Sequence, residues 1–239
     1  MLQPKEITPI TIFKSAHTRS KAFLSQGKEN KTIRDADDLR AAVVFAVSLM
    51  DAYFRSKIIY ILRKKNQSLD RKWFPDAVKK PIQKMIAREL FNKDSQLLPR
   101  QREAIDAVYN SGKPTLITYL QKYLEDFSFQ NIERLDEGMK MMGAKPQEIW
   151  EKVNQGKIKD VKPQKNIGRP KKRKKGRKTD IKIQLRNLFS KRHRIVHDAD
   201  LDIHGKKSRG QALSISYTTV KKWIDSTETM INHLDSIIR

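Results

Sequence analysis

Seven apolar residues, Leu39, Val43, Val47, Met50, Phe54, Ile58 and Ile61, recur at spacings of three and four. Side chains three or four apart share a face of an α-helix, whereas strand residues alternate, so this stripe specifies a helix. Asp35, Asp37 and Asp38 precede it, and Arg63, Lys64 and Lys65 close it. That order of charge complements the helix dipole. Residues 35–65 are predicted as one long helix, and its stripe demands cover from other elements.

The rest of the chain offers helices to cover it. Gly112, Gly143 and Gly156 follow apolar-periodic segments, and Pro114 and Pro146 open others, the usual punctuation at helix ends and starts. Helices are predicted over residues 76–92, 100–110, 114–126, 132–142, 146–154, 180–191 and 218–239. Ile181, Leu185, Leu188 and Phe189 form one apolar side near the end, and Val220, Trp223, Ile224, Met230, Ile231, Leu234, Ile237 and Ile238 form another. No period-two run and no internal repeat is present. The predicted fold class is all-α, a helical bundle with a long first helix. Trp73, Trp150 and Trp223 read as core or interface anchors. Residues 1–34 are weakly patterned and read as a partly ordered arm. Residues 35–155 and 179–239 read as one helical domain, interrupted by residues 156–178.

That interruption concentrates the charge. The 239-residue chain holds 51 Lys+Arg against 27 Asp+Glu, a net +24, and residues 157–178 supply twelve of the cations against the single acid Asp160. With Gly156, Pro163, Gly168, Pro170 and Gly176 and few aliphatic residues, this stretch cannot bury enough surface to offset its ordering entropy. It is predicted as an extended, disordered, solvated insert. Its centre, Ile167-Gly168-Arg169-Pro170-Lys171-Lys172-Arg173-Lys174, resembles an AT-hook, in which a Gly-Arg-Pro core enters an A·T-rich minor groove. Pro170 to Lys175 also resembles a nuclear import signal, and a plain basic linker fits the same residues. Lys165, Arg169, Lys171, Lys172, Arg173, Lys174, Lys175, Arg177 and Lys178, with Arg194 further on, are the expected nucleic-acid contacts, to RNA or to DNA. The absence of cysteine excludes disulfides, thiolate metal sites and cysteine nucleophiles. Residues 41–50 are the longest uncharged apolar run, too short to span a bilayer. The first thirty residues lack a signal-peptide core. The expectation is a cytoplasmic protein without membrane partners, nuclear if the source is eukaryotic.

The segment Ser190-Lys191-Arg192-His193-Arg194-Ile195-Val196-His197-Asp198 is the most informative candidate for chemistry. Arginine stabilises phosphate charge through a planar, permanently cationic fork. Histidine takes and gives protons near neutrality. RNA cleavage through the ribose 2′-hydroxyl needs those two functions, a base for the hydroxyl and positive charge for the phosphorane, and no cofactor. A basic surface with a structural histidine fits the same residues. On the long helix, Asp51 falls inside the apolar arc and Arg55 lies at its edge. A core-facing carboxylate must be paired or hydrogen-bonded. Either Asp51 and Arg55 form an intrahelical ion pair, or Asp51 faces the Arg192–His197 segment and orients it.

Together these residues resemble the HEPN (higher eukaryotes and prokaryotes nucleotide-binding) family. Asp51-x3-Arg55 corresponds to its Glu-x3-Lys/Arg pair, with Asp51 one methylene shorter than the usual Glu. Arg192-x4-His197 corresponds to its Arg-x4-His, with His193 where Asn is frequent. The resemblance covers the long helix and residues 180–239. It implies a metal-independent endoribonuclease of toxin or antiviral-defence type, acting as a homodimer, and it is compatible with an antitoxin or regulatory partner. It further implies Arg192 as phosphate stabiliser, His197 as general acid/base and a 2′,3′-cyclic phosphate product, with Asp51 and Arg55 in support and His193 as an auxiliary contact. Some members are inactive binding modules. Five residues on a helix subtend about 140°, so Arg192 and His197 cannot project together from one regular helix. A distorted turn, or two chains, is required.

Two other readings compete. His193 and His197 have helical metal-ligand spacing and Asp198, Asp200, Asp202 and His204 follow, but Lys191, Arg192 and Arg194 would repel a dication. Alternatively, the helices are a dimerisation scaffold and the insert alone binds nucleic acid.

Overall fold

A computed structural model describes residues 8–29, 32–67, 76–78, 80, 83, 113–156, 180–197 and 214–238. The described secondary structure is helical, with no strand among those residues, so the fold class is all-α. The principal helices are α1 (Pro9–Gln26), α2 (Ile33–Gln67), α3 (Lys113–Asp126), α4 (Ile132–Met141), α5 (Pro146–Gly156), α6 (Ile181–His197) and α7 (Tyr217–Ile237). The helix expected over 76–92 is described only in part, and residues 100–110 and the basic insert lie outside the described residues. Among the described residues, no helix is long and apolar enough to cross a membrane.

The long helix of the sequence reading is α2, and all seven of its stripe residues are buried. Its start is fixed reciprocally. Thr32 Oγ1 accepts the Asp35 N–H at 3.1 Å and the Asp35 carboxylate accepts the Thr32 N–H at 2.9 Å, a capping box in which Asp stands for Glu. Each fully buried Val, Leu or Ile contributes about 1.5–3 kcal/mol, far more than the propensity differences among these residues. Packing therefore decides where α2 lies.

A helix precedes it. The segment read as an arm holds α1, whose buried positions Pro9, Phe13, His17, Ser20 and Leu24 follow helical spacing. The apolar pattern is broken because His17 and Ser20 occupy core positions. Ser20 Oγ satisfies itself on the Ala42 carbonyl at 3.1 Å.

The contacts group into two compact units, with α1 and α2 each contributing to both. The first comprises residues 1–15, 48–146 and 238–239. Its core joins Met50, Phe54, Ile58 and Leu62 of α2 to Leu120 and Leu124 of α3 and Leu135 and Met139 of α4. Phe54 meets Phe129 at 5.3 Å between centroids, and Phe129 meets Phe127 at 4.7 Å. Gly138 makes this approach possible, since a Cβ there would stand 2.6 Å from Phe54 Cδ1 and 2.7 Å from Phe129 Cε1. Helix α4 ends at Gly143, φ 78°. The Ala144 N–H reaches the Met139 carbonyl and the Gly143 N–H the Lys140 carbonyl, both at 2.9 Å, a Schellman closure that needs the left-handed glycine.

The second unit comprises residues 16–47 and 147–237. Its core gathers Leu39, Val43 and Val47 of α2, Ile149 and Val153 of α5, Ile181, Leu185 and Leu188 of α6, and Val220, Ile224, Met230, Ile231 and Leu234 of α7. Helices α6 and α7 pack on one another. Trp150 and Trp223 are buried anchors, as their sequence context suggests.

Candidate active site on helix α6

Helix α6 is set by its first turn. Asp180 Oδ1 accepts the Lys182 N–H at 2.8 Å, capping the helix, and Asn154 Oδ1 at the end of α5 accepts the Ile181 N–H at 3.1 Å. Asn154 Nδ2 also donates to Asp180 Oδ1 at 3.4 Å. The chain on the two sides of residues 157–179 is thus joined by hydrogen bonds. Lys182 adds a cation–π contact to the Trp150 ring at 5.2 Å.

The sequence places the end of this helix near residue 191, but α6 continues through His197. No glycine or proline stops it, and Ile195 stays half-buried, so packing carries the last turn. The Arg192-x4-His197 segment therefore lies on continuous α-helix rather than on a distorted turn. Arg192 extends the buried side, four residues after Leu188 and seven after Leu185. Its Nε is buried and has no hydrogen-bond partner among the described residues. His193 and His197 are exposed on another side, one helical turn apart, with ring centroids at 4.4 Å and planes at 41°. Arg194 is half-buried. The whole of α6 carries Lys182, Arg186, Lys191, Arg192 and Arg194 and no acidic residue.

Asp51 and Arg55 are a pair, with Asp51 Oδ2 2.9 Å from Arg55 Nε. The alignment is too poor for a hydrogen bond from that Nε, so this contact is ionic. Both groups also reach the connection between α3 and α4. Asp51 Oδ1 accepts the Phe129 N–H at 2.6 Å, and Arg55 Nη1 donates to the Glu125 carbonyl at 2.9 Å. The intrahelical pair of the sequence reading is present, and its outer bonds hold the backbone of residues 125–129.

Chemically, α6 presents an uncommitted guanidinium nitrogen and two open imidazoles within six residues, in a setting that favours an anion. Among the described residues no three His, Asp or Glu side chains gather as a metal site. Asp198, Asp200, Asp202 and His204, and the insert cations Lys165, Arg169, Lys171, Lys172, Arg173, Lys174, Lys175, Arg177 and Lys178, lie outside the described residues.

A polar cluster on α1 lies outside what its apolar periodicity reveals. His17 is only 2 % exposed and lies 3.7 Å from Glu228, whose carboxylate takes Lys21 Nζ at 2.9 Å. Burial pulls the His17 pKa below its ordinary value, against the opposing charge of Glu228. The available signal was the spacing Phe13, His17, Ser20, Leu24.

No curated protein and no solved structure matches the chain significantly. A family model does: RiboL-PSP-HEPN aligns with residues 14–239, taking in most of α1, all of α2 and the whole of α6 and α7. With that match over nearly its full length, the chain belongs to the HEPN superfamily, in its RiboL-PSP-HEPN family.

Proposed function

We propose that this protein is a metal-independent endoribonuclease of HEPN type, of the toxin or defence class, which cleaves RNA by 2′-hydroxyl attack and leaves a 2′,3′-cyclic phosphate. The observation that carries this reading is Arg192, whose buried Nε makes no hydrogen bond among the described residues, on an acid-free helix that also exposes His197. A desolvated guanidinium interacts strongly with phosphate charge. An open imidazole can take the 2′-hydroxyl proton or return one to the leaving 5′-oxygen. In this reading His197 moves the proton and Arg192 holds the phosphorane. His193, in ring contact with His197, fixes its orientation and reaches the substrate as an auxiliary contact. Asp51 and Arg55 hold the connection between α3 and α4 within the first unit.

The continuity of α6 favours a homodimer. Arg192 and His197 diverge by about 140° on a regular helix, so a shared cleft would take its guanidinium from one copy and its imidazole from the partner. An antitoxin or regulatory partner would cover that cleft. The basic insert would tether RNA through phosphates.

The test is labelled RNA incubated in excess EDTA with wild type, Arg192→Ala and His197→Ala. Cleavage by wild type alone, ending in cyclic phosphate, is the expected result. Equal cleavage by all three would remove these residues from the chemistry.

A second reading draws on the charge of residues 157–178. A non-enzymatic nucleic-acid-binding protein would lose its activity on deletion of that segment and be indifferent to Arg192→Ala and His197→Ala.

A further inference from the structure

Helix α6 has an outward side that the Arg-x4-His pattern does not define. At about 100° per residue, Ile183, Arg186, Asn187, Ser190, His193, Arg194 and His197 fall within about 120° of arc. All are exposed except Arg194, which is half-buried. Ile183 is 48 % exposed, an aliphatic side chain in water at the far end of the strip. Arg186 makes no hydrogen bond or ion pair among the described residues. It stands seven residues, about 10.5 Å along the helix axis, before His193. The strip thus sets one free guanidinium two turns from the imidazole pair, with the amide of Asn187 and the hydroxyl of Ser190 between them and no carboxylate anywhere on the helix.

We propose that this strip is the track on which a single RNA strand lies, and that Arg186 takes a phosphate further along the strand from the one that is cut. The assignment rests on the ribonuclease reading for which phosphate is cut, and on the charge and spacing of the strip for the rest. An exposed cation opposed by a carboxylate is satisfied within the protein. A row of cations with no acid among them is complementary to a polyanion. Single-stranded RNA fits better than duplex, because a single strand can follow one helix face while its bases turn to side chains such as Ile183. Arg186 is a binding residue outside the reacting atoms. Its loss should weaken the hold on substrate and leave bound substrate as reactive as before.

The experiment uses the full chain and a fluorescent, fully 2′-O-methylated single-stranded oligonucleotide, which cannot be cleaved. Anisotropy over a range of salt is measured for wild type, Arg186→Ala, Arg186→Lys and Lys152→Ala, the last an exposed cation on α5. Arg186→Ala should weaken binding about three- to tenfold at low salt and reduce the salt slope by about 0.7, one single-strand phosphate contact. Arg186→Lys should recover most of the affinity, and Lys152→Ala should stay near wild type. Cleavage of the unmodified strand should show KM raised and kcat unchanged. Wild-type affinity in Arg186→Ala would overturn the assignment, as would an equal loss in Lys152→Ala, which means diffuse attraction. A change of oligomeric state by light scattering without a change in RNA affinity would also overturn it and make the strip a protein-docking face. Should wild type bind the oligonucleotide but cut no RNA, the ribonuclease reading fails while the anisotropy still decides the role of Arg186.

Discussion

The Asp51 carboxylate accepts the Phe129 backbone N–H at 2.6 Å through one oxygen and lies 2.9 Å from Arg55 Nε through the other. A side chain on α2 thereby satisfies a donor in the α3–α4 connection, seventy-eight residues away in sequence, and Arg55 binds the Glu125 carbonyl beside it. Removing the acceptor strands a part-buried N–H, which costs roughly 1–3 kcal/mol. Asp51→Ala should lower the unfolding free energy by about that amount, and Asp51→Asn, which keeps an acceptor oxygen, by less. Denaturant unfolding of the two variants checks this, and equal wild-type midpoints would remove the pair from the stability of the fold.

His197→Ala should reduce RNA cleavage in EDTA by about 10²- to 10⁴-fold, the usual contribution of a positioned proton-transfer group. Arg192→Lys should fail to restore what Arg192→Ala loses, since a point charge does not replace a planar fork. Single-turnover rates measure both, provided circular dichroism shows each variant folded.

Gly138→Ala should destabilise the first unit by about 1–3 kcal/mol, the usual cost of overpacking, because its new methyl would stand 2.6 Å from Phe54 Cδ1. Thermal unfolding reads this out. A companion Phe54→Leu substitution should recover part of the loss if the clash is the cause.

His17 gives a pH signature. Burial lowers its folded-state pKa below 6.5, its ordinary value. The unfolded chain therefore binds this proton at higher pH than the folded one, and stability rises with pH wherever the unfolded state holds more protons. The His17 contribution to stability is complete above about pH 6.5 and is lost as pH falls through and below that value. His17→Gln should flatten the stability-versus-pH curve just below about pH 6.5. An unchanged slope would show that other groups set it.

Deleting residues 157–178 should leave the helical fold intact, because Asn154 already binds Asp180 and Ile181 across the gap. RNA affinity should fall and its salt dependence should weaken. Far-ultraviolet circular dichroism and anisotropy on the deletion variant test the two halves separately.

The local pattern by itself determined the class of this molecule. The α2 stripe, the Gly143 stop, the apolar sides of α6 and α7 and the Arg192-x4-His197 spacing are all legible, since helical periodicity and end signals act within a few residues. Tertiary packing decided the rest. Helix α1 escaped the pattern because His17 and Ser20 hold core positions, and only long-range partners, Glu228 and the Ala42 carbonyl, make polar groups acceptable there. Helix α6 outran its predicted end because burial of Ile195 and part of Arg192 holds a turn that propensity leaves undecided. Periodicity placed Asp51 on the buried arc, but it could not name Phe129. A carboxylate's need for a partner is written in the sequence, whereas the partner's identity belongs to whichever backbone the fold brings within reach.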